Sequence, residues 1–257
     1  MLLGQFPQLL RAILPDRADC PRSAVAAANL PSAESLPQSG DYSPLDQEGF
    51  YVAVGKRFVD IGVSLFGLIF FLPILLTIGV LIKLTSRGPA LFHQQRVGKD
   101  EKLFRIVKFR TMVNGAEKMG GGITPRNDPR VTPLGVFLRQ WKLDELPQLW
   151  NVLRGQMSIV GPRPELPLYV ALYTDEQRAV LRVKPGITDL ASLRYRNEDC
   201  LLKKNADPEL FYRKRLMPDK LDLNLQYLKN ISFGRDLHLV LSTVRSIMRL
   251  SKPQEFD

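Results

Sequence analysis

The feature that most constrains this chain is a run of 22 uncharged, mostly apolar residues, IGVSLFGLIFFLPILLTIGVLI, at positions 61–82. By length alone it is a transmembrane helix. Pro73 sits near its middle, where it removes a backbone donor and clashes with the preceding turn, so a helix kinks there. Lys56 and Arg57 precede the run, and Lys83 and Arg87 follow it. A spanning helix usually carries its Lys/Arg excess on one side. Basic flanks at both ends of a broken segment predict instead that it enters and leaves on one face. Each arm would be about 14–18 Å long, too short for a hydrocarbon core of roughly 30 Å. On these residues alone an ordinary kinked spanning helix stays open. A buried soluble helix fits less well, because every face is apolar.

The first 50 residues have a different character. Pro15, Pro21, Pro31, Pro37 and Pro44 punctuate a Ser/Ala/Asp-rich stretch with little hydrophobic period, which predicts a flexible extension. Positions 1–14 carry a short amphipathic pattern (Leu2, Phe6, Leu9, Leu10, Ile13) without the basic start and continuous apolar core of a signal peptide. The tail holds three Lys/Arg and six Asp/Glu. Residues 51–257 therefore hold 33 basic and 20 acidic side chains, a net +13 against +10 for the whole chain. The positive field belongs to the folded part and selects for anions: nucleotides, nucleic acid or an anionic membrane surface. Three parts are expected: the extension at 1–50, the broken membrane helix at 51–88 and a catalytic domain at 89–257.

Within that third part, residues 90–96 and 103–112 predict two strands around Val97-Gly98-Lys99-Asp100, a small β-hairpin. Gly120-Gly121-Gly122 and the Pro/Asn/Asp-rich residues 124–129 predict a flexible loop. Leu146, Leu149, Trp150 and Leu153 recur at helical spacing, with Gly155 as the stop. Gly161-Pro162-Arg163-Pro164 predicts an irregular turn, and residues 174–183 a helix. Residues 237–250 are amphipathic, with Leu237, Val240, Leu241, Val244, Ile247 and Met248 on one face. Such a helix lies in a membrane interface or packs on a core, and the pattern leaves both open.

Chemistry is narrowed by elimination. His93 and His238 are the only histidines, and Cys20 and Cys200 the only cysteines. Neither a three-histidine metal site nor a cysteine cluster is possible, and no histidine sits in a nucleophile motif. Carboxylates remain. Lys142-Leu143-Asp144-Glu145-Leu146-Pro147-Gln148-Leu149-Trp150 places Asp144 and Glu145 at the expected start of a helix, with Pro147 in its first turn. An acidic pair there often does no more than cap the helix. Arg96, Lys108, Arg110, Arg130, Arg139 and Arg163 lie around it in the sequence, several beside Gly or Pro. Guanidinium forks clamp phosphate oxygens, so carboxylates among arginines behind a membrane segment suit phosphoryl transfer.

Five motifs in order resemble the bacterial sugar transferase family, the monotopic polyprenyl-phosphate phosphoglycosyl transferases. They are Lys56-Arg57-Phe58-Val59-Asp60 ahead of the proline-broken apolar segment, Lys108-Phe109-Arg110-Thr111-Met112, Leu143-Asp144-Glu145-Leu146-Pro147-Gln148-Leu149, Gly161-Pro162-Arg163-Pro164 and Pro185-Gly186-Ile187-Thr188. The resemblance covers about residues 51–250. It implies an α+β, mainly helical protein. A re-entrant broken membrane helix would carry a catalytic domain with interfacial amphipathic helices on the cytoplasmic face of the bacterial inner membrane. It also implies transfer of a sugar 1-phosphate from a nucleotide diphosphate sugar, a UDP-sugar, to undecaprenyl phosphate, with release of the nucleoside monophosphate. In that reading Asp144 is the covalent nucleophile, Asp144 and Glu145 hold Mg2+, and Arg139 and Arg163 bind phosphate, with Lys108, Arg110 and Arg96 as further phosphate ligands.

Two positions depart from the family pattern. Leu72-Pro73 stands where members often carry Ser-Pro, so the kink is left to the proline or to a polar neighbour such as Ser64 or Thr77. Asp189 stands where many have glycine, followed by Ala191-Ser192-Leu193-Arg194-Tyr195-Arg196-Asn197-Glu198, which leaves the sugar undetermined. Two other readings remain: a membrane-bound nucleotide-sugar pyrophosphatase using water as acceptor, and a non-catalytic basic membrane module. No RNA- or DNA-reading motif is present, so nucleic acid is not an expected partner.

Overall fold

The computed structural model describes residues 50–119, 122–125 and 127–249. The expectations for positions 1–14 and, except for Phe50, for the 1–50 extension fall outside these residues. What is described is mainly helical with two small two-stranded sheets.

A π-helical turn, Tyr51–Gly55, runs straight into α1 (Lys56–Phe70). α2 (Leu72–Thr85) follows after the single residue Phe71, and the two axes are bent by 60°. Pro73 has no N–H for the carbonyl of Ile69, and it sits in the first turn of α2, where that loss is tolerated. Ser64 donates to the Asp60 carbonyl (2.6 Å) and Thr77 to the Pro73 carbonyl (2.8 Å), each inside its own helix. Neither hydroxyl bridges the break, so the kink rests on the proline. Among the described residues no single helix is long and apolar enough to cross a membrane; the bent pair meets that test together.

α1 is turned inside out relative to a soluble helix. It buries Asp60, Ser64 and Gly67, one face at helical spacing, and exposes Phe58, Val63, Leu65, Phe66, Ile69 and Phe70. α2 buries only Ile78 and Ile82, which pack with Phe109, Leu134 and Leu138, and exposes Leu72, Ile74, Leu76, Val80 and Leu84.

β1 (Leu91–Val97) and β2 (Leu103–Phe109) pair antiparallel, with Leu91 opposite Phe109 and Val97 opposite Leu103, around the 3-10 turn Lys99–Glu101. The ladder ends three residues before the expected limit; Met112 makes only an isolated bridge to Val131. α3 (Pro133–Gln140) is N-capped by Thr132, whose Oγ1 accepts from the Gly135 N–H at 3.0 Å. α4 (Gln148–Leu153) ends where Gly155 adopts φ +78°. Its Val152 packs with Phe104, Ile106 and Met157.

A second sheet was not anticipated: β3 (Ser158–Val160) pairs parallel with β4 (Gly186–Thr188). Three-residue strands are too short to show a period. Their pairing brings the Gly-Pro-Arg-Pro and Pro-Gly-Ile-Thr motifs together. Gly186 N–H donates to the Pro162 carbonyl (2.9 Å) and Gly161 N–H to the Thr188 carbonyl (3.0 Å). The backbones approach so closely that a Cβ on Gly186 would lie 2.1 Å from the Gly161 nitrogen.

Between these strands lies α5 (Pro167–Val170) and a 3-10 segment, Gln177–Arg182, in place of the helix expected over 174–183. α6 (Leu190–Arg194), α7 (Glu198–Lys204), α8 (Pro208–Phe211) and α9 (Met217–Leu228) build the main core around Leu201, Leu216, Leu221 and Leu225. Asp189, the departure from the common glycine, is the N-cap of α6: its Oδ1 accepts from the Ser192 N–H (2.7 Å) and its Oδ2 from the Ser192 hydroxyl (2.6 Å). α10 (Phe233–Arg249) packs on the core through Leu239, while Phe233, Leu237, Leu241, Val244 and Met248 face outward. Of the apolar stripe read in the sequence, Val240 also packs on the core, while Leu237, Leu241, Val244 and Met248 do not.

Candidate active site

Lys142 adopts a left-handed conformation (φ 56°) and turns the chain out of α3 into a 3-10 turn, Leu143–Glu145. Asp144 and Glu145 thus lie just ahead of α4 rather than inside it, with Pro147 at its N-cap. Both carboxylates are buried. Lys108, on β2, donates to Glu145 Oε1 at 3.0 Å, and Arg163, from the Gly-Pro-Arg-Pro turn, grips both Glu145 oxygens, Nη1 reaching Oε2 at 3.2 Å and Nη2 bonding Oε1. Asp144 is different: its Oδ1 is buried and has no hydrogen-bond partner.

The remaining residues expected at the site divide. Arg139, near the end of α3, donates from Nε to Thr111 Oγ1 (2.9 Å) and contributes attraction to Asp144. Arg96 braces the Gly-Pro-Arg-Pro turn from behind, donating to the Pro164 carbonyl (3.1 Å) and to Gln94 Oε1 (2.7 Å), with Glu165 at 3.8 Å. Arg110 is not brought to the carboxylates. Its guanidinium donates to the Ser86 and Arg87 carbonyls (3.0 and 2.7 Å) and to Ser86 Oγ (2.7 Å), tying down the end of α2. Arg130 grips Asp128. Thr111, which orients Arg139, and Gln148, which is almost fully buried, stood in the motifs without an assigned role; Gln148 follows Asp144 by one helical turn, and that spacing was the available signal.

The electrostatics separate the two carboxyls. Burial raises the Asp144 carboxyl above its ordinary range, and the adjacent Glu145 charge adds to this against Lys108, Lys142 and Arg139. Burial acts on Glu145 in the same direction, but Arg163 and Lys108 outweigh it and hold that carboxyl well below the usual range. Burial also pushes the Lys108 ammonium down to about 8, although Glu145 pulls it back up. One carboxylate is thus neutralised by two cations, and its neighbour keeps an unfilled acceptor.

Among the described residues no group of three or more His, Cys, Asp or Glu could hold a metal. Mg2+ does not need one: it is commonly held by one or two carboxylates together with substrate phosphates and water. The Asp144 carboxylate, which makes no ion pair among the described residues and keeps one oxygen without a hydrogen bond, fits that donor set. Glu145, with both oxygens on cations, fits it only as a neighbour.

A carboxylate pair among converging cations, beside a helix with an apolar outer face, is an arrangement chemically suited to phosphate groups. Residues 51–250 match the family model described as bacterial sugar transferase, and the chain belongs to that family. It is similar to a UDP-glucose:undecaprenyl-phosphate glucose-1-phosphate transferase of Klebsiella pneumoniae, at 39% identity over 74% of this chain and 39% of the relative. A Caulobacter vibrioides protein of the same name is 38% identical over 77% of this chain and 71% of that protein. The UDP-N-acetylgalactosamine-undecaprenyl-phosphate N-acetylgalactosaminephosphotransferase of Aeromonas hydrophila is 36% identical over 75% of this chain and 43% of its own length. The chain thus spans about two fifths of two of these relatives.

Proposed function

We propose that this protein is a membrane-bound phosphoglycosyl transferase that moves a sugar 1-phosphate from a UDP-sugar to undecaprenyl phosphate, giving undecaprenyl-diphosphate-sugar and UMP. The observation that carries this reading is the buried, unpartnered Asp144 oxygen beside a Glu145 already neutralised by Lys108 and Arg163. The names of the relatives support the same reaction class, though they differ in the sugar.

In the first step an Asp144 oxygen attacks the sugar-bearing phosphorus. The Asp144–phosphorus bond forms, the bond to the bridging oxygen breaks, and UMP leaves with that electron pair. In the second step a phosphate oxygen of the lipid attacks the same phosphorus, and Asp144 leaves as a carboxylate. A dianionic diphosphate repels a carboxylate, so the charges must be masked. Arg163, Lys108 and Arg139 supply cations. Mg2+, when bound with the substrate's phosphates at Asp144 and beside Glu145, supplies charge neutralisation. Glu145 holds Lys108 and Arg163 in place.

The apolar exterior of α1 and α2, their 60° bend and the outward stripe of α10 support seating on a bilayer. We read α1 and α2 as one re-entrant element and α10 as lying in the interface, which puts the site at the cytoplasmic face of the bacterial inner membrane in a monotopic protein.

Incubating the protein with a panel of UDP-sugars and Mg2+, without lipid, should leave a phosphosugar on the peptide containing Asp144 and release stoichiometric UMP. Adding undecaprenyl phosphate should restore turnover, and Asp144→Asn should abolish both. An adduct on another residue overturns the assignment. Catalytic release of free sugar 1-phosphate without lipid would instead make the protein a pyrophosphatase.

A further inference from the structure

Gln148 is the first residue of α4, three positions after Glu145 and four after Asp144. The segment between is right-handed throughout, with Leu146 at φ −53°, ψ −37° and Pro147 at φ −61°, ψ −15°. That places Gln148 on the face carrying both carboxylates, one turn further along. It is 1% exposed, and its Nε2 is buried without a hydrogen-bond partner. A buried amide nitrogen left unpaired is costly, and folds retain such a group where something else satisfies it. The same face therefore holds two buried orphans: an acceptor, Asp144 Oδ1, and a donor, Gln148 Nε2.

A phosphoryl group joined to Asp144 would satisfy both. Bond formation to the carboxylate oxygen uses the orphaned acceptor, and the non-bridging oxygens arrive as acceptors one turn from the orphaned donor. We propose that Gln148 is a catalytic residue of the transfer, its side-chain amide donating to a non-bridging oxygen of the phosphorus attacked by Asp144. The cations of the site neutralise charge from the β2 and Gly-Pro-Arg-Pro sides. Gln148 adds a neutral, directional donor from the α4 side, in a buried position where such a bond is stronger than in water. No proton is exchanged: the amide keeps both hydrogens, and only a hydrogen bond forms as the phosphorus moves from the bridging oxygen to Asp144.

This rests on Asp144 being the attacking group, so the wild-type adduct is the first control; its absence would sink that reading and leave the role of Gln148 with it. Given the adduct, the measurement is the single-turnover rate of its formation in full-length Gln148→Met, Gln148→Glu and Gln148→Asn, with UMP affinity and melting temperature recorded for each. Methionine is close in size and has no donor, and should slow adduct formation on the order of 100-fold while leaving UMP binding near wild type. Glutamate donates only while protonated, which burial beside two carboxylates favours, so its rate should fall as pH rises. Asparagine keeps a donor one methylene short and should fall between methionine and wild type. A wild-type rate in any donor-free variant that melts with the wild type overturns the proposal. So does loss of fold in all three, which would make Gln148 a purely structural residue.

Discussion

Arg57 Nη1 donates to the Val152 carbonyl at 2.7 Å, and Nη2 of the same guanidinium donates to the Leu153 carbonyl at 2.8 Å. A cation from the first turn of the apolar helix α1 thus caps the last turn of α4, the helix that follows the carboxylate pair. The last carbonyls of a helix and the negative end of its dipole make that position favourable for a guanidinium, and Val152 uses its second lone pair, since its carbonyl also accepts from the Gly155 N–H at 2.9 Å. Two more contacts join the same elements. Gly67 leaves room for Leu149, whose Cδ1 would lie 3.0 Å from a Cβ at that position. Asp60 Oδ1 accepts from the Ser158 hydroxyl (3.0 Å) and the Ile159 N–H (2.9 Å), fastening α1 to β3. The apolar helix and the site are built as one body.

Replacing Arg57 with methionine keeps much of the aliphatic stem and removes both charged hydrogen bonds. The loss should be about 1.5–3 kcal/mol. Thermal unfolding in detergent should show a lower melting temperature, and an unchanged one would mean that water replaces the cap.

Asp60 separates an acceptor role from a charge role. Asp60→Asn keeps an oxygen for Ser158 and Ile159 and should be mild. Asp60→Leu strands both donors in a buried site and should cost about 1–3 kcal/mol more. Equal melting temperatures for the two variants would contradict this bond as the fastening of α1.

The depressed Lys108 gives the reaction an alkaline limit. If protonated Lys108 masks phosphate charge, kcat/KM should fall as pH rises through about 8. Lys108→Arg should carry the plateau higher, because a guanidinium stays charged. Glu145→Gln removes the attraction that raises the Lys108 ammonium and should move any remaining alkaline limb to lower pH. On the acid side Asp144 must be ionised to attack, so its raised carboxyl places that limb above the ordinary carboxylate range. A flat profile from pH 7 to 9 would remove Lys108 from the charge balance.

Gly186→Ala tests the contact between two motifs. The added Cβ would meet the backbone of Gly161, which cannot rotate away, so β3 and β4 must separate. Overpacking of this kind costs about 1–3 kcal/mol. The separation would also displace Arg163, and adduct formation should slow. Wild-type stability and rate together would show that the strands can slide apart freely.

The re-entrant reading of α1 and α2 is checked by labelling engineered cysteines beside Lys56 and Lys83, in a background without Cys20 and Cys200, from each side of a sealed membrane. Both should react from the same side. Pro73→Leu restores the missing backbone donor and should shift the segment toward a straight span, with the second cysteine changing sides. Opposite-side labelling of the wild type would make it a spanning helix.

Local chemistry is what the sequence by itself determined. Pro73 places the break because the lost donor acts within one turn, and Gly155 ends α4 because it takes the positive φ needed there; α3 and its Thr132 cap were not anticipated. The hairpin was legible from its turn, and Asp144, Glu145, Lys108 and Arg163 stood out as charges in five ordered motifs. Only the tertiary structure decided which charges meet. Lys108 and Arg163 lie 37 and 18 residues from Glu145, yet both bond it, whereas Arg110, two residues after Lys108, is drawn to Ser86 and Arg87. Residues two apart on a strand share a face, but β2 ends at Phe109, and the chain beyond that end turns Arg110 elsewhere. The pairing of β3 with β4, the cap that Arg57 provides and the unpaired state of Asp144 and Gln148 depend on backbone groups far away in the chain. Hydrogen-bond partners at that range leave no periodicity in a sequence, because they are set by which surfaces the core brings together.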